Sequence, residues 1–242
     1  MKTQSKKAQS EFEKNKYIVF SNALNPQTLN FIYSYIKIFA DRLDASVKHL
    51  PEYYTKEEHG FIAEGEIGFN SFSKYGDMMA DTLLLVMREG VESLIGLELV
   101  PTYGFFRLYK NGNDLKPHKD RVACEISLSL CIGYEGEQWP IYIDGIPIYQ
   151  KPGEVVVYRG CDVEHWREPF KGINQAQIFL HYNDKNGPYG EENKFDCRPF
   201  VGLPTVLDDE EHVYKGRRFF DKEKFSPQID PIIEKMLNEN TK

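Results

Sequence analysis

The chain has 242 residues, 41% of them apolar and 14% aromatic, with a net charge of −7 from 30 Lys and Arg against 37 Asp and Glu. That apolar content supplies a sizeable core and excludes a disordered chain. An acidic balance without a basic block also speaks against non-specific nucleic-acid binding, in which Lys and Arg displace counterions. The four cysteines, Cys124, Cys131, Cys161 and Cys197, form no CxxC pair. They read as reduced thiols of a cytoplasmic protein, not as a disulfide framework or a structural zinc site. The charged N-terminus has no apolar h-region, and the apolar runs fall short of the roughly 20 residues of a span, so neither a signal peptide nor a membrane segment is expected.

In chain order, residues 1–16 read as a flexible polar lead. Tyr17–Leu24 reads as a short strand. A helix follows, with Asn25 as N-cap, Pro26 at the first helical position, and Leu29, Ile32, Ile36 and Phe39 along one apolar face. Residues 45–76 have little period and read mostly as loop, and Asp77–Ile95 is a second expected helix. From Leu97 the pattern changes to strands. Leu99–Tyr109 is one, and Cys124–Ile132 is another, with Ile126, Leu128 and Leu130 on one face and Glu125, Ser127 and Ser129 on the other. Ile141–Tyr149 reads as a hairpin turning at Asp144-Gly145. Gly153–Tyr158, Val163–Arg167 and Gln175–Tyr182 complete the set. Helices followed by short strands predict an α+β chain whose strands close into a barrel or sandwich. The tail from Asn183 is expected to wrap the barrel and end in a short helix near Pro231–Leu237. No second core is evident, so a single folded unit is expected: helical support over 17–96, a barrel over 97–185, and an extension over 186–242.

His118 and Asp120 lie two positions apart, so on an extended backbone both side chains face one space. Two polar residues on a surface turn give the same pattern. His165, on a short strand after the Gly160 turn, can supply a third ligand. Two histidines and one carboxylate on one face of a metal suit Fe(II) and leave the other positions open; otherwise His165 is a histidine packed beside Trp166.

The segment RLYKNGNDLKPHKD resembles the prolyl-4-hydroxylase-like branch of the 2-oxoglutarate- and Fe(II)-dependent dioxygenases through Tyr109, Gly112, His118 and Asp120. Downstream, KPGEVVVYRGCDVEHWREPFKG resembles the same branch through Pro152, Gly153, Glu154, His165, Pro169 and Gly172. The likeness covers residues 99–182. It implies a double-stranded β-helix, or jelly-roll, fold with Fe(II) held by His118, Asp120 and His165. It further implies 2-oxoglutarate and O2 as co-substrates, release of succinate and CO2, and hydroxylation of an unactivated C–H bond on a prolyl, other amino-acid or peptide substrate. Halogenating relatives replace the carboxylate with a small residue, so Asp120 points to hydroxylation. The chain departs from the family where a Lys or Arg holds the distal carboxylate of 2-oxoglutarate: Asn174 and Gln175 stand there. Arg167, two residues after His165, is the expected replacement, ahead of Lys171, and otherwise pairs with Glu164 or Glu168. Tyr109 and Gln177 are expected to add donors, and Gln175 and His181 share the polar face of the last strand. Arg121 is expected to guide substrate or to pair with Glu125. Trp139, Trp166 and the aromatics of 53–75 are candidate walls of the substrate mouth; His49, His59 and His212 read as surface residues. Two readings stand beside the oxygenase: a cupin-like isomerase or hydrolase with the same ligands but no 2-oxoglutarate, and a binding barrel without metal.

Overall fold

The computed structural model describes residues 2–63 and 70–203. Helix α1 (Lys2–Asn15) leads into strand β1 (Tyr17–Phe20) and helix α2 (Pro26–His49). Asn25 caps α2 by accepting the Thr28 N–H at 2.9 Å, with Pro26 in the first turn, where a missing N–H costs nothing. Helix α3 (Lys56–His59) and strands β2 (Phe61–Ile62) and β3 (Phe72–Tyr75) precede helix α4 (Met78–Ile95). Asp77 caps α4, and Gly96 ends it in the left-handed conformation. Strands β4 (Leu99–Lys110), β5 (Leu115–His118), β6 (Ile126–Glu135), β7 (Ile141–Ile143), β8 (Ile146–Ile148), β9 (Val155–Arg159), β10 (His165–Arg167) and β11 (Asn174–Asp184) follow. Asp144 (φ 46°) and Gly145 (φ 84°) form the positive-φ turn that joins β7 to β8.

The strands form a seven-stranded sheet, β1-β9-β6-β11-β4-β3-β2, and a four-stranded sheet, β5-β10-β7-β8, with every pairing antiparallel. This is the double-stranded β-helix expected from the sequence. Alternation divides the large sheet into two faces. Phe106, Leu108, Ile126, Leu128, Leu130, Ala176, Ile178 and Leu180 pack with Leu29, Ile32 and Ile36 of α2 and Leu84, Val91 and Ile95 of α4 in one core. The opposite face turns inward, toward the small sheet. Its rows follow the register: Tyr103, His181, Ser127 and Tyr158; then Phe105, Phe179, Ser129 and Val156; then Arg107, Gln177 and Cys131; then Tyr109 and Gln175. Ser127, Ser129 and Gln177 on this polar face are fully buried.

Several expectations are corrected. Residues 2–15 are helical instead of a frayed lead, because Phe12 is driven into the core and the Arg159 guanidinium lies 5.4 Å from its ring centroid. The segment 45–76 carries the end of α2 plus β2 and β3, which extend the large sheet beyond β4; their pairing with distant residues leaves no local period to read. Strand β5 is likewise absent from the sequence reading. The expected helix at Pro231–Leu237 lies outside the described residues. No disulfide links the four cysteines, and among the described residues no helix is long and apolar enough to cross a membrane.

Phe12 anchors α1 through a fully buried ring, so Phe12→Ala should destabilise the fold by about 3–5 kcal/mol. Urea denaturation measures this. A loss below about 1 kcal/mol would mean that α1 is dispensable.

Candidate metal centre

His118 ends β5, and His165 opens β10 directly opposite it in the ladder, so the two side chains share a face. Their ring centroids are 4.3 Å apart. Asp120 follows two residues after His118, and its N–H donates to the Gly160 carbonyl at 2.9 Å, which tethers the ligand loop to the end of β9. His118 Nε2 lies 3.7 Å and His165 Nε2 3.5 Å from the same oxygen, Asp120 Oδ1. Both imidazoles place Nδ1 on a backbone carbonyl two residues earlier, His118 on Lys116 at 2.7 Å and His165 on Val163 at 3.2 Å. Each Nδ1–H therefore donates to its carbonyl and leaves the Nε2 lone pair aimed at the shared centre, the tautomer that metal ligation needs. Donors on a first-row ion, with bonds of about 2.0–2.1 Å, sit about 3 Å apart when adjacent; the three ligand atoms here lie within 4.8 Å of one another, so a contraction would close them around one ion.

The electrostatics agree. Burial lowers the pKa of His118, helped by the neighbouring His165, so its neutral form is favoured. Burial opposes the Asp120 charge, but the electrostatic pull of the imidazoles around it, His165 foremost, then His181 and His118, outweighs burial and holds the carboxyl at about 2. Asp120 Oδ2 is oriented separately, accepting from Ser127 Oγ at 2.8 Å. Ser127 Oγ also lies 2.9 Å from His181 Nδ1. With its single proton turned to Asp120, the hydroxyl accepts from His181, whose Nδ1 then carries the hydrogen. Gly160 makes this packing possible: a Cβ there would overlap Asp120 Oδ2 and the Cys124 carbonyl and would lie 2.8 Å from Ser127 Oγ.

Deeper in the barrel sits Arg167, 1% exposed. It has no carboxylate within ion-pair distance among the described residues, so the expected partners Glu164 and Glu168 do not hold it. Its Nη1 donates to the Trp139 carbonyl at 2.7 Å and its Nη2 to Gln150 Oε1 at 3.3 Å, while the guanidinium carbon lies 4.8 Å from the Trp139 ring centroid. Burial lowers the pKa of Arg167. Tyr109 packs edge-on against Trp139, with ring centroids 4.9 Å apart. Arg167 Nε, the Tyr109 hydroxyl, Gln175 Oε1 and Gln177 Nε2 are all buried without a hydrogen-bond partner among the described residues. Unpaired buried polar atoms carry a desolvation penalty, and here four of them accompany an uncompensated cation.

Other expectations fare differently. Arg121 is no free substrate cation, nor does it pair with Glu125. Both its Nη atoms grip Asp196 at 2.7 Å, because the chain after β11 brings that carboxylate over the ligand loop. Trp139 floors the Arg167 pocket instead of walling a mouth. Trp166, flanked by the inward His165 and Arg167, faces outward and stacks on Tyr142 at 5.2 Å. Lys171 is exposed and Asn174 contacts Tyr33 on the helical side, so neither reaches the interior. His59 is buried, 3.1 Å from Arg42 Nη2, whereas His49 is exposed as expected; His212 lies outside the described residues. Ser127, Gly160 and Gln150 carried no functional signal in the sequence. Ser127 was legible only as one polar member of an alternating strand.

No protein-family model and no curated protein matches the chain in sequence. Solved structures match its fold. A prolyl-4-hydroxylase from Pseudomonas putida superposes with a TM-score of 0.53 at 16% identity, covering 74% of this chain and 98% of that one. The non-haem α-ketoglutarate-dependent carbocyclase SnoK of nogalamycin biosynthesis gives 0.59 at 12% identity, covering 84% and 94%. EctD from S. alaskensis, solved with 2-oxoglutarate and 5-hydroxyectoine, gives 0.52 at 16% identity, covering 82% of each chain.

Burial pushes the His181 pKa down to about 4, against the pull of Asp120, whereas an unfolded histidine titrates near about 6.5. Between those values the unfolded chain binds a proton that the folded chain does not, so stability falls as pH drops through this window. Wild type should lose on the order of 2 kcal/mol more than His181→Gln between pH 7 and 5 in urea unfolding of the metal-free protein. Parallel losses would show that His181 gains no protection from burial.

Proposed function

We propose that this chain is an Fe(II)- and 2-oxoglutarate-dependent oxygenase that hydroxylates an unactivated C–H bond of a small-molecule or peptide substrate. The observation that carries this reading is the pairing of two features in one barrel: three convergent ligands at its end and an uncompensated arginine in its depth. The donor set is two imidazoles and one carboxylate without thiolate, which suits Fe(II). Iron held there, with 2-oxoglutarate and O2, would supply the oxidising power, 2-oxoglutarate leaving as succinate and CO2 with one oxygen atom and the other entering the C–H bond.

The chain's own residues bind and orient. His118, Asp120 and His165 would hold the metal. Arg167 offers its planar fork to the remote carboxylate of 2-oxoglutarate. Tyr109 and Gln177 donate beside it, and Gln150 and Trp139 hold the guanidinium in place. This makes Arg167 the functional substitute for the cation missing at Asn174 and Gln175. Trp139, Phe170 and Phe179 form an apolar wall that keeps water from the pocket. The partly exposed Phe105 and Arg107 lie on the inner face nearer solvent, where substrate enters. By this reading the catalytic domain spans 17–185, α1 packs on it, and the remainder is an extension. A prolyl or other amino-acid or peptide substrate is the class we favour, on the motif likeness and on support from the prolyl-4-hydroxylase fold match.

The test is an anaerobic titration of the metal-free protein with Fe(II) and then 2-oxoglutarate, monitored for the weak visible charge-transfer band of the chelate. Wild type should develop the band, and His165→Ala should not. Iron binding without a band would favour a metal-dependent isomerase or hydrolase, and no iron binding would leave the metal-free barrel. In the same assay Arg167→Gln should keep metal affinity within about threefold and weaken 2-oxoglutarate binding by roughly 100-fold, the value of a buried charge-assisted pair. Unchanged 2-oxoglutarate affinity would remove Arg167 from this role.

A further inference from the structure

The segment after β11 reaches the metal centre through Asp196. This carboxylate is fully buried. Arg121 Nη1 and Nη2 donate to its two oxygens at 2.7 Å each, and the Tyr75 hydroxyl donates to Oδ2. Three successive non-glycine residues, Phe195 (φ 53°), Asp196 (φ 56°) and Cys197 (φ 60°), hold left-handed backbone conformations to present it. Such conformations are unfavourable for side-chain-bearing residues and persist only where surrounding contacts over-determine them. Here Arg198 supplies part of that hold, through its 2.7 Å ion pair with the fully buried Asp81.

Two routes lead from Asp196 to the ligand Asp120. The first is covalent, since Arg121 is the next residue. The second runs through packed side chains. The Arg121 guanidinium lies 4.8 Å from the Tyr103 ring centroid. Tyr103 lies 4.5 Å from the His181 ring and places its hydroxyl 3.1 Å from Cys124 Sγ. His181 meets Ser127, and Ser127 meets Asp120 Oδ2.

We propose that Asp196 is a positioning residue for the metal carboxylate: it locks Arg121 and the Tyr103–His181–Ser127 stack so that Asp120 turns Oδ1 to the metal and keeps Oδ2 on Ser127. The inference rests on the metal reading of His118, Asp120 and His165. It makes the segment after β11 part of the site, although none of its described residues is among the ligands. Groups that orient a ligand typically matter by 10–100-fold in metal affinity, whereas a residue that only holds a loop in place alters stability alone.

The experiment is calorimetric titration of the full-length, metal-free protein with Mn(II), with melting temperatures measured in parallel with and without metal. Three proteins are compared: wild type, Asp196→Asn and Tyr182→Phe. The Tyr182 hydroxyl donates to the Leu84 carbonyl at 2.6 Å on the helical side of the sheet, so its loss lowers stability without touching the site. Asp196→Asn should bind Mn(II) at least tenfold more weakly and gain a smaller metal-induced rise in melting temperature, while Tyr182→Phe keeps wild-type affinity. Equal affinity in Asp196→Asn and wild type would overturn the inference and leave the metal reading standing. Absence of Mn(II) binding by wild type would overturn both. Should Asp196→Asn fail to fold, Arg121→Lys, which keeps the charge and loses the fork, is judged by the same two criteria.

Discussion

A charge inside a barrel has lost most of its water, and something must replace that water. The interior between the two sheets contains the buried Arg167 and the largely buried Asp120, and the surrounding side chains follow from them. Around Asp120 the replacement is a serine hydroxyl on one oxygen, two ligand imidazoles facing the other, and a third histidine behind the serine. Around Arg167 it is incomplete, with one carbonyl, one amide oxygen and an aromatic face. The difference between these two surroundings separates a centre built to hold a cation from a pocket built to receive an anion.

The sheets place these groups by arithmetic that any strand obeys. A period of two puts His165 and Arg167 on one face of β10, one at the barrel's end and the other further in. The same period lines Tyr103, Phe105, Arg107 and Tyr109 along β4 and Gln175, Gln177, Phe179 and His181 along β11. The opposite face of each strand carries the apolar residues that α2 and α4 cover. The large sheet is therefore buried on both sides for different reasons, apolar against helices and polar around the site.

The sequence was most legible where chemistry is local. The cap at Asn25, the Asp144-Gly145 turn and the alternation of β6 follow from short-range rules, and the structure has them where expected. The HxD pair was legible as a spacing, His165 was one reading of a later histidine, and the resemblance joined the three. Less legible were elements stabilised only by distant partners. Helix α1 depends on the burial of Phe12. Strands β2, β3 and β5 are short and exist because a neighbouring strand offers hydrogen bonds. The outward turn of Trp166 and the inward turn of Trp139 depend on which face of the sheet each one joins.

By itself, the order of residues determined the two-sided strands, the helix ends and the His118–Asp120 pair facing one space, because each arises from backbone periodicity or from side-chain chemistry carried within a few positions. Tertiary structure alone decided what those groups meet. It sealed Arg121 against Asp196 across 75 steps of chain, left Arg167 without a carboxylate partner among the described residues, and pressed Gly160 against the metal carboxylate. Burial and charge compensation are properties of the space around an atom, and that space is assembled only when distant segments close on it.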